Sequence, residues 1–194
     1  MNDRLRQFRF YLRVTGAAAI SRRYFVMNAF DGALAALGVI VGAWSSGPIQ
    51  PRFIVGAGLG MSLAMGISGF AGAYLTERAE RLRRLRELER SLLVNLDSSI
   101  HGRAFRTVVL WTALVDAMSP ALTALASISP FIMLSHGLVS ADQAVFISIT
   151  TILITIFSLG AFTGKVSKEN VFISGIRMLS VGLITAFLVS ILAR

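Results

Sequence analysis

Phe53-Ile-Val-Gly-Ala-Gly-Leu-Gly-Met-Ser-Leu-Ala-Met-Gly-Ile-Ser-Gly-Phe-Ala-Gly-Ala-Tyr-Leu-Thr76 carries no charge and passes directly into Glu77-Arg-Ala-Glu-Arg-Leu-Arg-Arg-Leu-Arg-Glu-Leu-Glu-Arg90. The first half exceeds the roughly 20 apolar residues that a helix needs to cross the hydrocarbon core of a bilayer. Neither a proline nor a turn signal separates the halves, so the pattern predicts one membrane helix that continues as a charged arm. Small residues recur at every fourth position, Gly56, Gly60, Ala64, Ser68, Gly72 and Thr76. Such a row lies on one helix face and lets another backbone approach closely. Beside it runs a second row, Met61, Met65, Gly69 and Ala73. In the arm, Glu77–Arg81, Glu80–Arg84 and Arg83–Glu87 stand four apart, the spacing of salt-bridged helix surface. Leu82, Leu85, Leu88, Leu92 and Leu96 form a stripe along it.

The composition agrees with a membrane class. Hydrophobic residues make up 55% of the 194 positions and charged residues 15%, too apolar for a soluble domain of this length. That length accommodates about five spans with short loops and no separate soluble domain. The formal charge of +9 comes almost wholly from arginine, since Lys165 and Lys168 are the only lysines. In so apolar a chain, topology signals and anionic lipid headgroups account for that charge, and no nucleic-acid partner is expected. Cysteine is absent, which removes disulfides and thiolate metal sites. The basic N-terminus lacks the apolar core and cleavage site of a secretory signal.

Four further stretches complete an all-α, five-span reading. Residues 1–23 form a basic segment in which Leu5, Phe8 and Leu12 share one helical face, the pattern of an amphipathic helix on an anionic membrane surface. A disordered basic leader is the alternative. Span one runs from Tyr24 to Trp44 and ends at the breaker-rich turn Ser45-Ser-Gly-Pro-Ile-Gln-Pro51; with span two it makes up residues 24–76. The arm occupies 77–103. Residues 104–194 hold span three (Ala104 to Leu134), span four (Ala144 to Thr163) and span five (Val171 to Ala193). Pro120 and Pro130 predict a kinked or broken third span. Arg and Lys concentrate in the N-terminal segment, the arm and the 164–170 loop. The positive-inside rule therefore puts these in the cytoplasm and the C-terminus outside, with the plasma membrane as the expected location.

A charge at membrane depth costs several kcal/mol unless it faces a cavity or a partner, so intramembrane carboxylates are the first candidates for function. There are two. Asp31 lies about two turns into span one; it either lines a path or is a structural carboxylate bonded to backbone, Ser or Arg. Asp116 precedes Pro120, where freed carbonyls and Ser119 could join it around a cation; pairing with Arg177 or Arg106 is the alternative. Met61, Met65 and Met118 could offer thioether sulfur to a soft metal, or simply fill gaps in apolar packing. His101 and His136 are isolated and read as surface residues. The acids of the arm read as salt-bridged surface rather than as ligands. No phosphate-binding loop, nucleophile elbow or zinc-protease motif is present, so neither an enzyme nor a cofactor is expected.

Three stretches resemble the vacuolar iron transporter family, which includes the yeast vacuolar iron and manganese carrier and plant nodulin-like proteins. They are Asp31-Gly-Ala-Leu-Ala-Ala-Leu-Gly-Val-Ile-Val-Gly42, then Ala64-Met-Gly-Ile-Ser-Gly-Phe-Ala-Gly-Ala-Tyr-Leu-Thr-Glu-Arg78, and Gly160-Ala-Phe-Thr-Gly-Lys-Val-Ser with Ser174-Gly-Ile-Arg-Met-Leu-Ser-Val-Gly182. The resemblance implies a five-span homodimer that moves ferrous or manganous ions out of the cytosol, with proton exchange as the driving force. It also implies a path at the dimer interface, and Asp31 matches an Asp of that path. In the second span Met65, Gly69 and Ala73 stand where the family pattern has Asp, Met and Glu, while Ser68, Gly72 and Tyr74 remain. The family's cytosolic metal-binding domain is reduced here to the Arg-rich arm.

Two functions of different class follow. The first is a divalent-metal transporter with Asp31 of each subunit on a central path, helped by Met61, Met65, Asp116 and Met118. The second is a non-transporting relative that engages anionic lipids or a partner through its basic arm. Retaining an intramembrane carboxylate without use is costly, which favours the first.

Overall fold

The structure, a computed structural model, describes residues 2–94 and 100–193, with the side chains of 2–5, 7, 14 and 100–103 undescribed. Leu96 therefore lies outside the described residues, as do the side chains of Leu5 and His101. Six helices follow one another: α1 (Asn2–Val14), α2 (Ala17–Ser45), α3 (Pro51–Leu92), α4 (Ile100–Ser135), α5 (Ala141–Ser167) and α6 (Val171–Leu192). No strand occurs among the described residues. Five of the helices, α2 to α6, are long and apolar enough to cross a membrane. The all-helical, five-span class read from the sequence is thus the class observed.

Apolar length sets where each helix begins and ends. At 42 residues, α3 is a single helix. At 1.5 Å per residue it is roughly 60 Å long, about twice the hydrocarbon thickness, so its charged half cannot share the bilayer core with its apolar half. Left-handed Gly16 (φ 65°) turns the chain from α1 into α2. Ser140 and Gln143 form a reciprocal capping box that starts α5. Lys168 (φ 59°) closes α5, and the Asn170 side chain accepts from the Phe172 and Ile173 amides to start α6.

Of the two alternatives for the third span, kinked or broken, the broken one does not occur. Pro120 and Pro130 both lie inside α4, and the helix is unbroken. Each proline removes an amide that would have reached the carbonyl four residues back. For Pro130 that carbonyl belongs to Ala126, and the Ser129 hydroxyl donates to it at 2.8 Å. Near Pro120, Thr123 donates to the Ser119 and Pro120 carbonyls at 3.1 and 3.0 Å. The Ser129 hydroxyl thus re-satisfies the carbonyl that Pro130 frees.

Contacts divide the chain into two compact units, Met1–Phe25 with Gly66–Met118 and Val26–Met65 with Ser119–Arg194. In the second, Ala33, Ala36, Leu37 and Ile40 of α2, Ile54 of α3, Phe131 of α4 and Ile152 and Ile156 of α5 form a fully buried cluster. The α5–α6 crossing is tight because glycine lines it: a methyl group on Gly160 would lie 2.7 Å from the Ser174 carbonyl oxygen, and one on Gly175 2.5 Å from the Phe157 ring. In the first unit, Tyr11 and Ala17 pack with Ala104 and Val108 at the base of α4. Phe8 meets Trp111 edge-on, with ring centroids 5.2 Å apart. The apolar face of α1 is therefore turned onto α4, and Tyr11 rather than Leu12 is its most buried side chain.

Candidate functional site

Asp31 takes its orientation from the packing of α2. Buried Ala29, Ala33, Ala36, Leu37, Ile40 and Val41 recur at helical spacing and define the inward side of the helix. At 100° per residue, Asp31 falls on roughly the opposite side, and it is exposed. Gly32 holds that rotation in place. A methyl there would sit 2.5 Å from both the Pro120 carbonyl oxygen and the Thr123 hydroxyl, so α2 rests on α4 with backbone against backbone. One turn before Asp31, on the same outward face, Met27 is 54% exposed. The sequence reading passed over Met27; its i−4 relation to Asp31 was the available signal.

The other candidates each have surroundings of their own. Met61 packs against the buried cluster to which α2 turns its other side. Met65 is half-buried. Asp116 is buried, and its surroundings explain a neighbouring glycine: a methyl on Gly69 would lie 3.0 Å from the Asp116 Oδ2 and 3.3 Å from its backbone oxygen. A side chain at position 69 would press on that carboxylate, which would have to shift by a few tenths of an ångström. Met118 is 55% exposed. Two residues along a helix turn about 200°, so α4 sends Asp116 and Met118 in different directions. Arg106, ten residues earlier on the same helix, is about 15 Å away along the axis, too far to pair with Asp116 directly. Arg177 is engaged with Glu169 at 3.4 Å, both exposed. His136 Nδ1 lies 2.8 Å from the Ile132 carbonyl oxygen, which accepts from it, and the residue sits at the exposed end of α4. Among the described residues, no group of three or more His, Cys, Asp and Glu is placed to hold a metal ion.

The small-residue row of α3 is open. Gly56, Gly60, Ala64, Ser68, Gly72 and Thr76 are all exposed, and a methyl on Gly56, Gly60 or Gly72 would meet nothing within 4 Å. The close approach that such a row permits is not used among the described residues.

All three i,i+4 pairs expected in the arm form: Arg81–Glu77 at 3.1 Å, Arg83–Glu87 at 3.0 Å and Arg84–Glu80 at 3.0 Å. They are not equivalent. Arg83, Glu87, Arg84 and Glu80 are at least half exposed, whereas the side chains of Arg81 and Glu77 are only 5% and 11% exposed. Tyr24 donates its hydroxyl to the second carboxylate oxygen of Glu77 at 3.3 Å. The Arg81 guanidinium lies over the Phe105 ring, 6.0 Å from its centroid. Burial lowers the pKa of Arg81 from its ordinary value, and the adjacent Glu77 opposes that shift. A buried, partnered arginine is thus built into the junction where the apolar half of α3 becomes the charged half. Spacing revealed the pair but not its burial.

Sequence comparisons add an independent line. A family model described as "VIT family" matches residues 94–194. The chain is also similar to "Uncharacterized protein MJ0645" of Methanocaldococcus jannaschii, with 36% identity over 170 residues that cover 86% of this chain and 85% of the relative. The family match takes in α4, α5 and α6, and the archaeal likeness extends over most of the chain. Together with five helices apolar enough to span a membrane, these matches show that the chain belongs to the VIT family, a membership that points to membrane metal-ion transport.

Proposed function

We propose that this protein is a homodimeric transporter of divalent metal ions of the ferrous and manganous class, with Asp31 of each subunit facing a shared path. The observation that carries the reading is the outward-facing Asp31 on a charge-free stretch of α2, opposite the packed side of that helix. A carboxylate in that position faces lipid in a lone chain, at a cost of several kcal/mol. A second copy related by a two-fold axis removes the cost. Two carboxylates brought together across the axis bind a divalent cation or share a proton, and exchange between those states couples metal to proton movement. Met27 adds a thioether to the same face, which suits the softer end of the divalent series. The open small-residue row on α3 supplies a surface on which a second copy can approach closely. In this reading the basic segments lie in the cytoplasm and the C-terminus outside, in the plasma membrane, with metal leaving the cytosol.

Manganous-ion titration of the purified protein, followed by electron paramagnetic resonance, tests the shared site. The expected result is one ion per two chains, lost in Asp31→Asn. One ion per chain, or binding unchanged in that variant, would overturn the shared site.

A further inference from the structure

The buried arginine at the junction of α3 borders a cleft that has no part in the metal path proposed above. Tyr74, Arg78, Arg81 and Leu85 of α3 and Phe105 and Arg106 of α4 are among its walls, and its volume is about 370 Å³. Both helices change character here. On α3 the charge-free run ends at Thr76, and on α4 an apolar run whose one charge is Asp116 begins at Thr107. The cleft therefore sits where hydrocarbon gives way to headgroups. Three guanidiniums face it and one carboxylate, Glu77, lies behind Arg81, which leaves the cleft positive.

Arg81 gives the cleft its specificity. Its Nε is committed to Glu77 at 3.1 Å, while its Nη2 is occluded and has no hydrogen-bond partner among the described residues. A desolvated guanidinium donor left unpaired is costly, and an anionic oxygen is the acceptor that best relieves it. The Phe105 ring and the Glu77 carboxylate hold the guanidinium at the cleft wall, so that a small side-chain shift brings the unpaired donor onto a ligand. Arg78 and Arg106 flank it with exposed, mobile-length side chains that can close on the same anion.

We propose that this cleft binds the phosphate headgroup of an anionic phospholipid. The phosphate meets Arg81, with Arg78 and Arg106 on either side, and the Tyr74, Leu85 and Phe105 walls take the glycerol and upper acyl carbons. Free inorganic phosphate shares the charge but has no use for the apolar walls. The site does not depend on whether the chain moves metal.

The test uses the full chain in a neutral detergent and measures binding of dioctanoyl phosphatidylglycerol, dioctanoyl phosphatidylcholine and inorganic phosphate by native mass spectrometry. The double variant Arg78→Gln/Arg106→Gln is compared with Arg86→Gln/Arg90→Gln, which removes the same charge from α3 outside the cleft. Phosphatidylglycerol should bind in preference to phosphatidylcholine, and the cleft variant should weaken it about tenfold or more while the control changes it less than about twofold. Equal losses in the two double variants would show diffuse attraction and overturn the site. So would the absence of preference for the anionic lipid. Displacement of phosphatidylglycerol by inorganic phosphate at equal concentration would overturn the lipid assignment. If the cleft double variant melts early without lipid, Arg106→Gln alone, at an exposed side chain, carries the comparison. Asp31→Asn should bind the lipid as wild type does, which separates this result from the fate of the transport reading.

Discussion

Glu77→Ala and Glu80→Ala remove the same group from the same helix, each from an i,i+4 pair with arginine, yet they should differ in cost by about tenfold. Glu80 pairs with Arg84 at 3.0 Å with both side chains at least half exposed. Losing such a pair costs about 0.3–0.5 kcal/mol, because water already solvates both charges. Glu77 pairs with Arg81 at 3.1 Å where the side chains are 11% and 5% exposed, and it also accepts from Tyr24. Its removal strands a buried guanidinium that already has one unpaired nitrogen. Breaking one side of a buried pair costs about 3–5 kcal/mol. On the globular scale of about 2–4 °C per kcal/mol for chains of this length, that is roughly 6–20 °C for Glu77→Ala. Glu80→Ala should shift the midpoint by no more than about 2 °C on the same scale. Thermal unfolding of both variants in one detergent, followed by circular dichroism, makes the comparison. Equal midpoints would refute the claim that the α3 junction is organised around a desolvated arginine.

Two further substitutions probe helix surfaces. Gly32→Ala should destabilise by about 1–3 kcal/mol, since its methyl meets the Pro120 carbonyl at 2.5 Å and backbone cannot step aside. Gly38→Ala, with nothing within 4 Å, should be neutral or stabilise by up to about 1 kcal/mol through helix propensity, so thermal unfolding should give shifts of opposite sign or nearly so. Gly60→Leu on the open α3 row should leave the helical circular-dichroism signal and melting midpoint of the detergent-solubilised chain intact. The same variant should abolish cross-linked dimer in membranes, and undiminished cross-linking would remove this row from the subunit interface.

Local features of this fold were readable in the sequence, and features that join distant segments were not. Long apolar runs with few or no charges marked all five long apolar helices, and the uninterrupted passage from Thr76 to Glu77 marked α3 as one helix. The arm pairs were readable because i,i+4 geometry needs no tertiary information. The prolines of α4 do not break the helix, and at Pro130 the Ser129 hydroxyl, which a rule about lost amides omits, takes the freed carbonyl. The Tyr24–Glu77 bond joins residues 53 apart, and no spacing rule reaches that far. At the site, Asp31 was identifiable as a carboxylate in an apolar run, but its outward direction depends on Gly32 resting against Pro120. Gly69 read as a lost ligand position, and the structure adds that a side chain there would press on the Asp116 carboxylate.

Manganous-ion uptake into proteoliposomes, with wild type and Asp31→Asn reconstituted side by side at equal density, tests the central claim most directly. The account predicts uptake by the wild type and only the protein-free background for Asp31→Asn, with both proteins equally helical and equally dimeric. Equal uptake by the two proteins would contradict it.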